Sequence, residues 1–243
     1  MFSHLPSPFN ALITGTGGLG VAFANALLES DSLGSLTLAS RSPAEGVTAD
    51  DRVTEITTDL SSEEGQRELA GQLPDHVHLW LHTVGVLHSD TISPEKRLEH
   101  LTTDQLTESF RINTATFGGL LGQLAPRISR QPALIGVLSA RIGSIGDNRL
   151  GGWYGYRASK AALNMLVKTA SVELERRNPE AIIVSLHPGT TDTGLSKPFQ
   201  GHVPDNKLFT PSYAADALLT VLANRTPDDS GSFWDWNDTP IEW

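Results

Sequence analysis

The chain has 243 residues, 39% of them hydrophobic, with a formal net charge of -10 and a sequence pI near 5.2, and it has no Lys/Arg cluster, so nucleic acid and anionic membrane surfaces are poor partners for it. It contains no cysteine, which excludes disulfides, thiol nucleophiles and thiolate metal sites. No apolar run approaches the ~18 residues of a membrane span, and Met1 to Asn10 lacks the basic-then-apolar order of a signal peptide; a cytoplasmic protein with one domain over 1–243 is expected.

Phe9 to Ile13 is a short apolar run ending in Thr14-Gly15-Thr16-Gly17-Gly18-Leu19-Gly20, and an amphipathic stretch follows through Val21, Phe23, Ala24, Leu27 and Leu28. Strand, glycine turn and helix is the order that brings backbone N–H groups close to a pyrophosphate, although Gly15, Gly17 and Gly20 also suit a plain tight turn. Leu36 to Ala39 reads as a second strand and ends at Ser40-Arg41, ~20 residues beyond the loop, where an arginine can pair with the 2′-phosphate of NADP. A solvated loop arginine is the plainer reading. Val53 to Thr57 is a third strand, with Asp59-Leu60 at its end where an adenine could be held, and Ser61 to Leu73 opens like a capped helix.

Val77 to His82 leads into Thr83-Val84-Gly85, and Thr103 to Leu124 is helical by period with Asn113 in its middle. Ala133 to Leu138 delivers Ser139, Ala140 and Ser144 to the carboxyl edge of the sheet, where ligands sit in open α/β folds. The loop Gly146 to Trp153 leads into a helix from Tyr156 to about Arg177. Ala181 to Leu186 then ends in His187-Pro188-Gly189-Thr190-Thr191-Asp192-Thr193. Thr193 to Pro211 has the length and composition of a substrate lid, Pro211 to Asn224 is a last helix, and Gly231 to Asp235 a final strand. Trp236 and Trp243 fit the closing of a core or a subunit contact better than a substrate site. The alternation predicts a Rossmann-type α/β fold: a doubly wound parallel sheet of about seven strands with helices on both faces.

Tyr156 and Lys160 stand four residues apart, on one face of their helix, so a phenol and an ammonium can act on one bound molecule. A phenol keeps its proton to about pH 10, and a nearby positive charge favours the phenolate. The pair can therefore trade a proton with a substrate oxygen, unless it is a surface pair with the lysine stem packed on the ring. The eight histidines form no metal-binding spacing, and no metal is expected.

With the glycine loop, Gly85, Asn113, the Ser139 region, Tyr156/Lys160 and Pro188-Gly189 in this order, the whole chain resembles the short-chain dehydrogenase/reductases. Gly143-Ser144-Ile145-Gly146-Asp147-Asn148 before Tyr156-Arg157-Ala158-Ser159-Lys160 is similar to the C-factor and sniffer-like carbonyl reductases. The resemblance implies hydride transfer between NADP(H) and a small carbonyl or alcohol substrate, with Tyr156 as general acid/base. Lys160 would lower the tyrosine's pKa and hold the nicotinamide ribose, Asn113 would support a proton-supplying water chain, and Thr191 and Thr193 would hold the carboxamide.

Three places depart from the family pattern. Gly15 and Gly18 are separated by two residues instead of three. His82-Thr83-Val84-Gly85 replaces Asn-Asn-Ala-Gly. Ala140 takes the place of the catalytic serine, which leaves Ser139, favoured, or Ser144 to serve. A nucleotide-binding regulator with little turnover is the competing reading. Trp153, Leu150 and the lid suggest an apolar or aromatic substrate. The resemblance leaves monomer, homodimer and homotetramer open.

Overall fold

The structure, a computed structural model, describes residues 2–128 and 131–243. Strand β1 (Phe9–Thr14) runs into α1 (Gly18–Leu28), followed by β2 (Leu33–Ser40), β3 (Val53–Thr57), α2 (Glu63–Gln72) and β4 (Leu79–His82). Helix α3 (Thr103–Phe110) passes through a π-helical turn at Arg111–Ala115 into α4 (Thr116–Ile128). Then come β5 (Ala133–Leu138), α5 (Tyr154–Arg177), β6 (Ala181–His187), the two-residue strands β7 (Thr190–Thr191) and β8 (Leu208–Phe209), α6 (Pro211–Ala223) and β9 (Phe233–Asp235). Among the described residues one seven-stranded sheet forms in the order β3-β2-β1-β4-β5-β6-β9, with every neighbouring pair parallel. This is the expected doubly wound sheet. Its strand order reverses between β1 and β4, which opens a crevice beyond their carboxyl ends.

Strand alternation divides the core. Ala11 and Ile13 of β1 pack with Phe23, Ala24 and Leu27 of α1 and Leu218 and Leu222 of α6 on one face. Leu12 packs on the other face, with Leu69 of α2, Phe117 and Leu120 of α4, and Leu163 and Val167 of α5. Such strands are buried on both faces and read as continuous apolar runs. Local signals set the helix ends: the Ser62 hydroxyl accepts from Gly65 N at 3.0 Å to cap α2, and Thr210 caps α6 ahead of Pro211. The helix expected over 103–124 extends to Ile128, and its π turn, invisible to hydrophobic period, swings Asn113 into the interior. Trp236 packs on Phe209 at 4.5 Å and against the core, while Trp243 stacks on the buried Phe233 at 5.7 Å and is itself 37% exposed.

At the end of β4, Trp80 Nε1 donates to Thr14 Oγ1 and His82 Nδ1 shares that oxygen, both at 2.9 Å, while His82 Nε2 is buried with no partner among the described residues. Burial, helped by the charge of Lys160, holds His82 at about 3, far below an ordinary imidazole. His82 is thus neutral when folded but takes a proton near pH 6.5 when unfolded, so stability present above that pH is lost as pH falls toward 3. Between pH 6 and 4 the unfolding free energy of His82→Asn, from urea titration, is expected to fall less steeply than wild type by about 1.4 kcal/mol per pH unit. Equal slopes in the two proteins would mean that His82 protonates without unfolding.

Candidate active site

A cleft of ≈ 700 Å³ lies beyond the carboxyl ends of β1, β4, β5 and β6. Its floor begins at the glycine loop. Gly15 has φ +92, a left-handed conformation, and a Cβ there would lie 2.8 Å from Thr83 Oγ1. The Thr83 hydroxyl donates to Gly15 O at 2.7 Å, and a Cβ on Gly20 would lie 2.1 Å from that same carbonyl. The two glycines thus let the loop fold back onto α1, and Thr83 pins it. Gly17 is different: it precedes α1 with no side-chain cap, and a Cβ there would meet nothing within 4 Å. Open space beside free first-turn N–H groups of a helix suits a pyrophosphate, so these residues fit a dinucleotide.

Thr16 Oγ1 donates to Ser40 Oγ at 2.7 Å, and Arg41 follows with an exposed side chain. Asp59 Oδ1 accepts from the N and Oγ of Ser61, bonds that pull its carboxyl below the usual range, while Leu60 is buried in the core. Thr16, Ser40, Arg41, Asp59 and Leu60 gather at the ends of β1, β2 and β3, outside the lining of the main cleft.

At the other end α5 brings Tyr156 and Lys160 to the cleft, both buried. Lys160 Nζ donates to Leu138 O at 2.9 Å and lies 5.8 Å from the Tyr156 ring centre. A Cβ on Gly85 would sit 3.3 Å from that Nζ, so the glycine leaves room for the ammonium. Burial pushes Tyr156 above its ordinary value, opposite in direction to the lowering expected from Lys160, and brings Lys160 down to about 8. Desolvation favours the uncharged form of both, and the lysine is aimed at a carbonyl.

Asn113 Oδ1 accepts from Val86 N at 2.7 Å, and its Nδ2 donates to Val86 O at 2.9 Å and Ser159 Oγ at 3.0 Å. It clamps the chain after β4 and does not line the cleft.

Ser139 lines the cleft, and among the described residues its buried Oγ has no hydrogen-bond partner. Ser144 accepts from Asp147 N at 3.0 Å and stands off the cleft, while Ala140 presents only a methyl group. Pro188, Gly189, Thr191 and Thr193 form the facing edge. Leu150, expected as a wall, is 93% exposed and off the cleft. Trp153, the other expected wall residue, does line the cleft, after positive φ angles at Gly151, Gly152 and Trp153 turn the chain. Trp153 meets Phe199 edge-on at 5.0 Å and Tyr156 at 6.5 Å, and His88 meets Phe199 at 5.7 Å. His88 Nε2 is also 3.1 Å from Gly194 O, which ties the chain after β4 to the lid. Sequence reasoning missed Thr83, His88 and Phe199; only Phe199 carried a signal, as an aromatic within the expected lid.

Among the described residues no His, Asp or Glu cluster could hold a metal, and no helix is long and apolar enough to cross a membrane.

The family model described as short chain dehydrogenase matches residues 10–203. A 1-hydroxy-2-glutathionyl-2-methyl-3-butene dehydrogenase of Rhodococcus sp. strain AD45 is 31% identical over 188 residues, 76% of this chain and 78% of the relative. The C-signal protein of Myxococcus xanthus is 38% identical over 117 residues, 47% of this chain and 64% of that protein. Carbonyl reductase Sniffer of D. melanogaster superposes with a TM-score of 0.84 over 99% of this chain and 100% of its own at 23% identity, a likeness of fold.

The two kinds of glycine separate by experiment. Gly17→Ala is expected to keep its thermal midpoint within about 2 °C and to weaken dinucleotide binding at least tenfold by calorimetry, because its methyl enters the open cradle. Gly20→Ala should instead lose several degrees, since its Cβ meets backbone. Wild-type affinity in Gly17→Ala would mean that no phosphate lies there.

Proposed function

The chain belongs to the short-chain dehydrogenases, NAD(P)-dependent oxidoreductases, and from that premise we propose that it is an NADP(H)-dependent reductase of apolar or aromatic aldehydes and ketones. The observation that carries the reading is the buried Tyr156/Lys160 pair beside the unpartnered Ser139 hydroxyl in an aromatic-walled cleft. A reduced nicotinamide, when bound, supplies the hydride. Ser139 donates a hydrogen bond to the substrate oxygen, and Tyr156 gives its proton to that oxygen as it becomes an alkoxide. Tyr156 holds its proton at neutral pH, as donation to the alkoxide requires, while its burial by itself makes it a weaker acid than a free phenol.

Lys160, at about 8, is mostly charged at pH 7 and holds ribose hydroxyls. Asn113 keeps the Val86 peptide in place and, in the same reading, borders the water path that resupplies the proton. Gly15, Thr16, Gly18, Leu19 and Gly20 cradle the pyrophosphate; Ser40 and Arg41 take the 2′-phosphate; Asp59 and Leu60 border the adenine. Gly85, Pro188, Gly189, Thr191 and Thr193 frame the nicotinamide half. Ala140 favours a second reading, a nucleotide-binding regulator with little turnover, which would bind NADPH without oxidising it against any carbonyl.

Calorimetry with NADPH and NADH, then a carbonyl panel, decides between them. Arg41→Ala should weaken NADPH about tenfold or more and leave NADH unchanged, as expected for one charged contact to phosphate. Tyr156→Phe should lower kcat by about 10²–10⁴ and Ser139→Ala by roughly 10², with the Kd for NADPH little changed. Full turnover in Tyr156→Phe would remove the proposed acid. NADPH binding with no oxidation by any carbonyl would support the regulator.

A further inference from the structure

The chain from Gly85 to Glu95 forms a strap after β4, and its first residues, Gly85, Val86, Leu87 and His88, line the cleft. Asn113 holds the Val86 peptide at one end. At the other end Glu95 is only 3% exposed, yet among the described residues it forms no ion pair. A buried carboxylate is costly unless something compensates it. Here the carboxylate meets the start of α5: Gly155 N donates to Glu95 Oε2 at 3.1 Å, and Trp153 N separately ties the two backbones by donating to the Glu95 carbonyl at 2.5 Å.

Helix α5 has no cap of its own. The residue before it is Trp153, at φ 53 and ψ 44, and no side-chain cap bond is present there. The free N–H groups and positive dipole of the first turn favour an anion, and Glu95 supplies it from a distant part of the chain. The fit is close: a Cβ on Gly155 would lie 2.9 Å from Glu95 Oε1 and 3.2 Å from Ser109 Oγ. On the opposite side the Arg157 guanidinium donates to Gly152 O at 2.9 Å, and to Gly151 O and Ile142 O at 3.2 Å. The left-handed turn that aims Trp153 is therefore clasped from both sides.

We propose that Glu95 is a positioning residue that caps α5 from the strap, fixing Tyr156 and Trp153 against the Val86 to His88 wall and so setting the width of the substrate end. Lys160 lies a turn further along and is anchored separately to Leu138 O, so the cofactor end does not depend on Glu95. The kinetic consequence rests on the reductase reading; the cap does not.

Glu95→Gln keeps an acceptor of the same shape, Glu95→Ala removes it, and Gly155→Ala pushes the carboxylate away. Hydrogen exchange read by mass spectrometry on a peptide spanning 151–157 is expected to quicken at least tenfold in Glu95→Ala and Gly155→Ala, and less than threefold in Glu95→Gln. With NADPH and an aromatic aldehyde, Glu95→Ala should lose at least tenfold in kcat/KM, Glu95→Gln should recover most of it, and NADPH affinity should stay within twofold in both. Wild-type exchange and kinetics in Glu95→Ala would overturn the proposal. So would faster exchange throughout the chain with parallel loss of NADPH binding, the mark of a general stability residue. If local exchange changes as expected but even wild type reduces no carbonyl, the cap stands and the reductase reading falls.

Discussion

The hydrogen bond from Lys160 Nζ to the Leu138 carbonyl is the constraint on which the Tyr156/Lys160 end of the cleft depends. It ties α5 to the carboxyl end of β5 at the point where the helix delivers Tyr156, and it satisfies an ammonium that the fold has removed from water. Close packing supports it: a Cβ on Gly143 would lie 2.8 Å from Lys160 Cβ, so only a glycine lets the helix settle on that turn. Because both groups are desolvated, the site holds its tyrosine protonated and its lysine near the edge of ionisation. The same lysine charge helps keep His82 neutral beneath it.

The glycine loop solves a different problem. With one residue fewer between its first two glycines than the family pattern, it must turn sharply and still present N–H groups to an anion. Gly15 and Gly20 meet at one carbonyl, and Thr83, standing where the family has asparagine, supplies a donor short enough to pin it there. Since Thr83 follows β4 directly and Gly85 abuts Lys160, one short segment joins the glycine loop to the Tyr156/Lys160 pair.

The substrate end is assembled from parts far apart in sequence. Trp153 precedes α5, His88 lies on the strap after β4, and Phe199 lies in the lid, yet the three rings touch in series. Aromatic edges that meet in this way form a stiff apolar wall with little conformational entropy left to lose on binding. Backbone bonds to Glu95 and guanidinium bonds from Arg157 hold the wall's least favourable conformation, the left-handed Trp153.

Hydrophobic period, glycine spacing and the four-residue interval between Tyr156 and Lys160 are local properties, and they determined the strand and helix order, the doubly wound sheet, the glycine turn before α1 and the shared helix face of Tyr156 and Lys160. β3 and β5 fall on their expected residues, and Ser62 caps α2 within the expected capped start, because each signal lies within a few residues of the element it sets. The tertiary structure alone decided which serine faces the cleft, since a strand's end and the turn after it orient Ser139 and Ser144 differently at nearly the same sequence distance. It also decided that of the two expected wall residues only Trp153 reaches the cleft, through three successive left-handed residues, and that Tyr156 and Lys160 are both removed from water. Thr83 and Glu95 act on partners 68 and 60 residues away. Desolvation and long-range hydrogen bonds depend on which segments the fold brings together, and that information is absent from any local stretch of sequence.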